Sequence, residues 1–199
     1  MMDVVLIDAG GANLGSVRYA LERLGAQVTC SGDAERIAAA DRVILPGVGA
    51  ADVGMSRLRE LGLVEAVRAL EQPLLGICLG MQLLFDSSEE GDVACLGRIA
   101  GRVRRLGAQP GVRVPHMGWN TLHPCRDDPL LGGIGAGEQA YFVHSYAAPV
   151  TADTVATSAH GEPFAAVVRH GRCWGAQFHP ERSASTGARL LANFLKDLY

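Results

Sequence analysis

Apolar positions in the first half of the chain follow two alternating periods. Val4-Val5-Leu6-Ile7 is an unbroken apolar run of strand length, the pattern of a strand covered on both faces. Leu14, Val17, Leu21 and Leu24 then recur at helical spacing, with Asn13 placed to cap the segment and Gly25 to end it. Residues 27–30 read as a strand, 33–39 as a short helix and 42–45 as the next strand. A helical stretch over 51–70 is weakened by Gly54 and Gly62; residues 74–77 read as a strand and 79–85 as a helix. Strand and helix alternating over short connections predict βαβ units on a parallel sheet.

Beyond Leu96 the pattern changes to short strands, at 98–106, 140–146, 155–158, 164–169 and 172–178. His170-Gly171 reads as a hairpin turn between the last two, and a helix over 184–198 closes the chain. No repeat, low-complexity run or linker divides residues 1–199. The expected fold is one α/β domain, with a central, mostly parallel sheet, flanking helices and antiparallel strands toward the C-terminus.

Composition narrows the function class by exclusion. The net charge of −3 leaves no electrostatic footprint for nucleic acid and no polybasic membrane patch. Met1-Met2-Asp3 lacks a basic n-region, and the run at 4–7 is too short for a signal peptide or a membrane span, so a cytoplasmic protein is expected. Cys30, Cys78, Cys95, Cys125 and Cys173 show neither the pairing of a secreted framework nor CxxC spacing, which suits a reducing compartment. His123, His144, His160 and His170 offer no HxxH or HxH spacing. Neither a metal site nor a cofactor is expected.

Four of those cysteines are expected to be small buried hydrophobes. Cys78 differs because Gly76-Ile77-Cys78-Leu79-Gly80 joins a strand abruptly to a helix. This G-x-C-x-G pattern is the cysteine form of the nucleophile elbow. It lifts the sulfur clear of the sheet edge and sets it at a helix N-terminus, where thiolate is favoured over thiol. The N–H of Leu79 would then face the oxygen of a carbonyl under attack.

A cysteine nucleophile needs a base. His179 follows the apolar run 173–178 and precedes Pro180-Glu181; the proline keeps His179 extended, so Glu181 at i+2 is expected on the same side as the imidazole. That is the nucleophile, base and orienter of an acyl-transfer triad. The bland alternative is a strand-end histidine beside a solvated glutamate. Pro46-Gly47-Val48-Gly49, after the strand at 42–45, can supply a second oxyanion donor at Val48, or can be an ordinary glycine turn.

A nucleotide loop at Gly10-Gly11-Ala12-Asn13-Leu14-Gly15 is rejected. The middle glycine of GxGxxG falls on Ala12, Cys30-Ser31 stand where an acid would end the second strand, and a P-loop would need Gly-Lys-Ser/Thr where the chain has Gly15-Ser16-Val17.

With Gly-Ile-Cys-Leu-Gly-Met-Gln, Pro-Gly-Val-Gly and Gln-Phe-His-Pro-Glu-Arg-Ser in this order, the chain resembles the class I glutamine amidotransferases from its first strand to its last helix. Pro115-His116-Met117-Gly118-Trp119-Asn120 and residues 141–146 make it most similar to the branch in which a freestanding glutaminase serves the cyclase of imidazole glycerol phosphate synthesis, in histidine biosynthesis. The resemblance implies Cys78 as nucleophile, His179 as general base and then acid, Glu181 as its orienter, and the N–H groups of Val48 and Leu79 as the oxyanion hole. It implies L-glutamine held by Gly49, Gln82, Glu90, Ser145 and Tyr146. It implies a β/α-barrel cyclase subunit as partner in a heterodimer, facing Asn13, Met117, Trp119 and Asn120. The chain departs from the family at residues 8–13, Asp-Ala-Gly-Gly-Ala-Asn, where many members carry Asp-Tyr-Gly; Asn13 matches. Glu90 makes independent sense, because an α-ammonium needs a carboxylate, although a solvated acid in Ser88-Glu89-Glu90 reads equally well. Alternatives are the glutaminase of anthranilate or GMP synthesis, a non-catalytic scaffold subunit, and a cysteine-elbow redox or stress protein. The last would not need Glu181 two residues after His179.

Overall fold

The computed structural model describes residues 2–10, 13–107 and 109–196. Its first half contains β1 (Asp3–Ile7), α1 (Leu14–Glu22), β2 (Gln27–Ser31), α2 (Ala34–Ala38), β3 (Arg42–Gly47), α3 (Ala51–Glu60), α4 (Leu63–Arg68), β4 (Leu74–Cys78) and α5 (Leu79–Leu83). Then come β5 (Phe85–Ser88), β6 (Val93–Ala94), β7 (Ile99–Arg105), β8 (His116–Thr121), β9 (His123–Pro124), β10 (Gln139–His144) and β11 (Tyr146–Ala147). The chain returns through β12 (Thr154–His160), β13 (Glu162–His170) and β14 (Cys173–Ala176) to α6 (Ala184–Phe194).

The main sheet runs β2-β1-β3-β4-β14-β13-β12-β9. It is parallel from β2 through β14 and antiparallel beyond. Two smaller sheets flank it, the ribbon β10-β8 and the group β11-β7-β5-β6. Successive residues of β1 go to opposite apolar clusters, Val4 and Leu6 to one and Val5 and Ile7 to the other, as burial on both faces of a parallel strand requires.

Several elements differ from the sequence pattern. The helix expected over 51–70 breaks in two at Gly62, whose φ of 68° suits glycine and ends the α3 turn. The helix expected over 79–85 stops at Leu83, because Phe85 pairs in parallel with Ile99. The strand expected over 140–146 divides at Ser145 into β10 and β11, which belong to different sheets. Asn13 precedes α1 in a left-handed conformation, φ 85°, and its side chain makes no cap hydrogen bond. Helix α6 ends at Phe194; residues 197 and 198 of the expected helix, and Gly11 and Ala12 of the glycine-rich loop, lie outside the described residues.

Three neighbouring parallel strands position the site. Gly47 at the end of β3 is in register with Cys78 at the end of β4, and Ile77 with Ala176 at the end of β14. The Pro46–Gly49 loop, Cys78 and the segment leading to His179 therefore leave the sheet side by side at its carboxyl edge. In an open α/β sheet this is where ligands bind.

Candidate active site

Cys78 sits at the strand–helix junction with φ 54° and ψ −112°, a strained conformation for a residue bearing a Cβ. Close packing holds it there. Helix α5 lies so near β3 that a Cβ on Gly80 would come within 1.8 Å of the Leu45 carbonyl oxygen. Cys78 is 6% exposed, and its Sγ lies 3.8 Å from the carbonyl of Val143. With only five residues in α5, the helix dipole at this junction is small, so the electrostatics of the site rest chiefly on the side-chain neighbour of Cys78.

That neighbour is His179. Its backbone is extended, φ −97° and ψ 97°, its N–H donates to Tyr141 at 3.0 Å, and its carbonyl accepts from Ser183 Oγ at 2.7 Å. Nδ1 lies 2.9 Å from Oε1 of Glu181, and the imidazole lines the same cleft as Cys78. Burial pulls the imidazole toward neutrality, but the hydrogen bonds to Cys78 and Glu181, together with their charges, outweigh it and push the pKa up to about 10. A charged His179 stabilises a thiolate beside it.

Glu181 reaches His179 by a route the sequence pattern does not contain. Pro180–Arg182 is a 3₁₀ turn rather than extended chain. It rests against α6 where Gly187 has no side chain; a Cβ there would lie 1.9 Å from the Pro180 carbonyl oxygen. Oε1 of Glu181 also accepts from Nδ2 of Asn13, while Oε2 is buried and has no partner among the described residues.

Cys78 and His179 line a cleft of about 320 Å³, in the size range of small-molecule sites. Val48 and Leu79 flank the sulfur, and Gly49, with φ 96°, Gln82 and Glu90 continue the wall. Ser145 and Tyr146 also line the cleft, with Pro115, Val143 and His144. Oε2 of Glu90 accepts from the N–H of Ala51, the first residue of α3, at 2.9 Å. Burial raises the Glu90 carboxyl, against that hydrogen bond, and the charge of Asp52 raises it further. Gln82 Nε2 donates to the Tyr146 carbonyl at 2.8 Å and to Oε1 of Gln177 at 3.0 Å.

Other candidate residues lie elsewhere. Met117 and Trp119 stand on the outer face of β8, 64% and 51% exposed. Asn120 turns its amide inward, to Ala159, His116 and Thr121. Cys95 and Cys173 are buried, with burial raising their thiols to about 11 and about 12. Cys30 is half-buried, and Cys125 is exposed, because β9 is the edge strand of the main sheet. Two groups escape the sequence reading. Gln177 is fully buried with Nε2 4.0 Å from Cys78 Sγ, and His144 forms part of the cleft wall. Their signal is present in the sequence, within Gln-Phe-His-Pro-Glu and Val-His-Ser-Tyr, but only the register of β14 and β10 brings them to Cys78.

The chain belongs to the glutamine amidotransferase class-I family, whose model matches residues 5–198 and so takes in both the Cys78 elbow and the His179–Glu181 pair. Within it, the chain is 65% identical over 196 residues to the imidazole glycerol phosphate synthase subunit HisH of Xanthomonas euvesicatoria pv. vesicatoria, covering 98% of each. It is 61% identical, with the same coverage, to the protein of that name from Xylella fastidiosa (strain Temecula1). Among solved structures, a glutamine amidotransferase superposes with a TM-score of 0.74 at 22% identity over 96% of both chains, which establishes the shared fold. No helix among the described residues is long and apolar enough to cross a membrane.

Proposed function

We propose that this chain is the glutaminase subunit of an imidazole glycerol phosphate synthase. It hydrolyses L-glutamine to glutamate and ammonia and passes the ammonia to a cyclase subunit, a β/α barrel, which forms imidazole glycerol phosphate and aminoimidazole carboxamide ribotide. The observation that carries this reading is that His179, held by Glu181 at Nδ1, lines the same cleft as Cys78. The extent of the similarity to HisH proteins, 98% of the chain, supports it.

The chemistry follows from the placement of each group. The Cys78 thiolate attacks the side-chain amide carbon of glutamine, forming a C–S bond and moving the carbonyl electrons onto oxygen, which faces the N–H groups of Val48 and Leu79. His179, charged and fixed by Glu181 at Nδ1, gives the proton on its other ring nitrogen to the amide nitrogen. The C–N bond breaks, ammonia leaves and a γ-glutamyl thioester remains. Neutral His179 then takes a proton from water, whose oxygen attacks the thioester; glutamate departs and thiolate and imidazolium are restored. Glu90, a carboxylate lining the cleft, receives the α-ammonium, and the Ser145–Tyr146 wall and Gln82 hold the rest of the substrate.

The test is glutamate release with and without the cyclase subunit. Wild-type chain is expected to be weakly active alone and stimulated by the partner. Cys78→Ser is expected to lose glutamine-dependent synthesis by at least about 10³-fold while the complex still uses added ammonium. A Cys78→Ser chain that releases glutamate at the wild-type rate refutes the mechanism, and ammonia delivery to an anthranilate or GMP synthase instead would reassign the partner.

A further inference from the structure

Strand β8 turns His116 and Asn120 inward while Met117 and Trp119 face out, as the two-residue period of a strand requires. His116 pairs with His144 across the β8–β10 ribbon, and Nδ1 of the first lies 2.9 Å from Nε2 of the second. His116 also stacks on Phe142 at 5.0 Å and on His160 at 4.2 Å. Phenylalanine would serve such a position for packing, so the ring nitrogens need their own explanation.

The groups at the two ends of this run fix the role of every atom between. At one end, Nδ1 of His144 lies 2.8 Å from the backbone carbonyl of Tyr146. A carbonyl only accepts, so Nδ1 of His144 carries the proton and Nε2 of the neutral ring presents a lone pair. Nδ1 of His116 must then donate to it, which leaves Nε2 of His116 as an acceptor. Opposite stands Nδ2 of Asn120 at 3.2 Å. That amide is oriented independently: its Oδ1 accepts from the N–H of Thr121 at 2.8 Å and its Nδ2 donates to the Ala159 carbonyl at 2.8 Å. Both rings are neutral, since burial, aided by neighbouring histidines, lowers His116 to about 4 and His144 to about 3. All donors therefore point one way, from Asn120 through His116 and His144 to Tyr146.

We infer that His116 and His144 are positioning residues of the glutamine site, a one-way hydrogen-bond chain that holds the Tyr146 carbonyl and with it the Ser145–Tyr146 wall of the cleft. The same carbonyl accepts from Gln82, so two side-chain donors converge on one oxygen at the substrate wall. This assignment rests on glutamine binding there, as proposed above.

The test separates seating of the amino acid from reactivity of the sulfur. His116→Phe keeps the stacked ring, removes both nitrogens and leaves Nε2 of His144 buried without a donor. With the cyclase present, KM for glutamine is expected to rise about tenfold, the cost of one unsatisfied buried acceptor, with a much smaller change in kcat. Alkylation of Cys78 by iodoacetamide, followed site by site by peptide mass spectrometry, needs no amino-acid seat and is expected to keep its wild-type rate. His116→Gln, which restores a donor and an acceptor, is expected to return KM most of the way. A wild-type KM in His116→Phe, or an equal loss of alkylation and of glutamine turnover, overturns the inference. The wild-type protein supplies a test that needs no variant: ¹⁵N NMR of labelled histidine is expected to show Nδ1–H on both His116 and His144, and Nε2–H on either ring overturns the chain. Absence of glutamine turnover by the wild-type complex would instead refute the functional reading, which the tautomer measurement does not touch.

Discussion

The side-chain amide of Asn13 donates to Oε1 of Glu181, the same oxygen that accepts from Nδ1 of His179, joining the first helix to the last turn across 168 residues of sequence. Asn13 gives up an ordinary capping bond to do so. Its left-handed backbone, φ 85°, directs the amide at the carboxylate instead of at the N–H groups of α1. Two donors on one oxygen of a buried carboxylate fix its orientation and hence that of the imidazole.

Asn13→Ala is therefore expected to lower kcat about tenfold, on the scale of one lost hydrogen bond to a charged group, with KM for glutamine little changed. Cys78 alkylation in the isolated chain is expected to slow in parallel, a readout that contact with a partner subunit does not enter. Unchanged alkylation would show that Glu181 holds its orientation without Asn13.

Glu90→Gln keeps an oxygen for the Ala51 N–H but removes the charge that would face an α-ammonium. KM for glutamine is expected to rise roughly 10- to 100-fold, the worth of a charged hydrogen bond, with kcat nearly constant. Steady-state kinetics decide it, and an equal fall in kcat would place Glu90 in the chemical step.

Acid sensitivity is expected from the paired histidines. Burial lowers His116 to about 4 and His144 to about 3 in the folded chain, below the ordinary histidine value of about 6.5. A base depressed by folding contributes stability that is whole above its unfolded pKa and is lost progressively as pH falls toward the folded value. The urea midpoint is expected to drop as pH falls from about 6.5 to about 5, before most carboxylates protonate, and to drop less steeply in His116→Phe. Parallel curves for the two proteins would mean that His116 titrates normally.

Gly187→Ala forces a methyl group onto the Pro180 carbonyl, whose oxygen and carbon would lie at 1.9 and 2.7 Å. The obstacle is backbone, so the turn carrying Glu181 must move away from α6. A loss of about 1–3 kcal/mol or more in stability is expected from such overpacking, along with reduced glutamine turnover. Urea denaturation and the glutaminase assay check both, and full turnover in the variant would show that the turn tolerates the shift.

Local requirements were legible in the sequence and distant ones were not. The Cys78 elbow shows because its demands, a strand, a sharp turn and glycines that admit close packing, fall within five consecutive residues. The His179–Glu181 contact is legible as a pair, although proline starts a 3₁₀ turn there instead of prolonging the strand. Phe85 looks helical because nothing near it announces Ile99, its ladder partner. Strand β8 escapes because its inward positions are His116, Gly118 and Asn120, which break the alternation of apolar and polar types that marks a strand. The approach of Gln177 to Cys78 follows from the pairing of β14 with β4, a register that periodicity does not encode.

The ribbon of β8 and β10 shares no ladder with either larger sheet among the described residues. Its outer face carries Trp119 edge-on to Tyr141, and its inner face carries the two imidazoles. The aromatic face and the imidazole face therefore lie back to back on the same two strands, so a substitution at Trp119 is separated from the cleft wall by a single thickness of backbone.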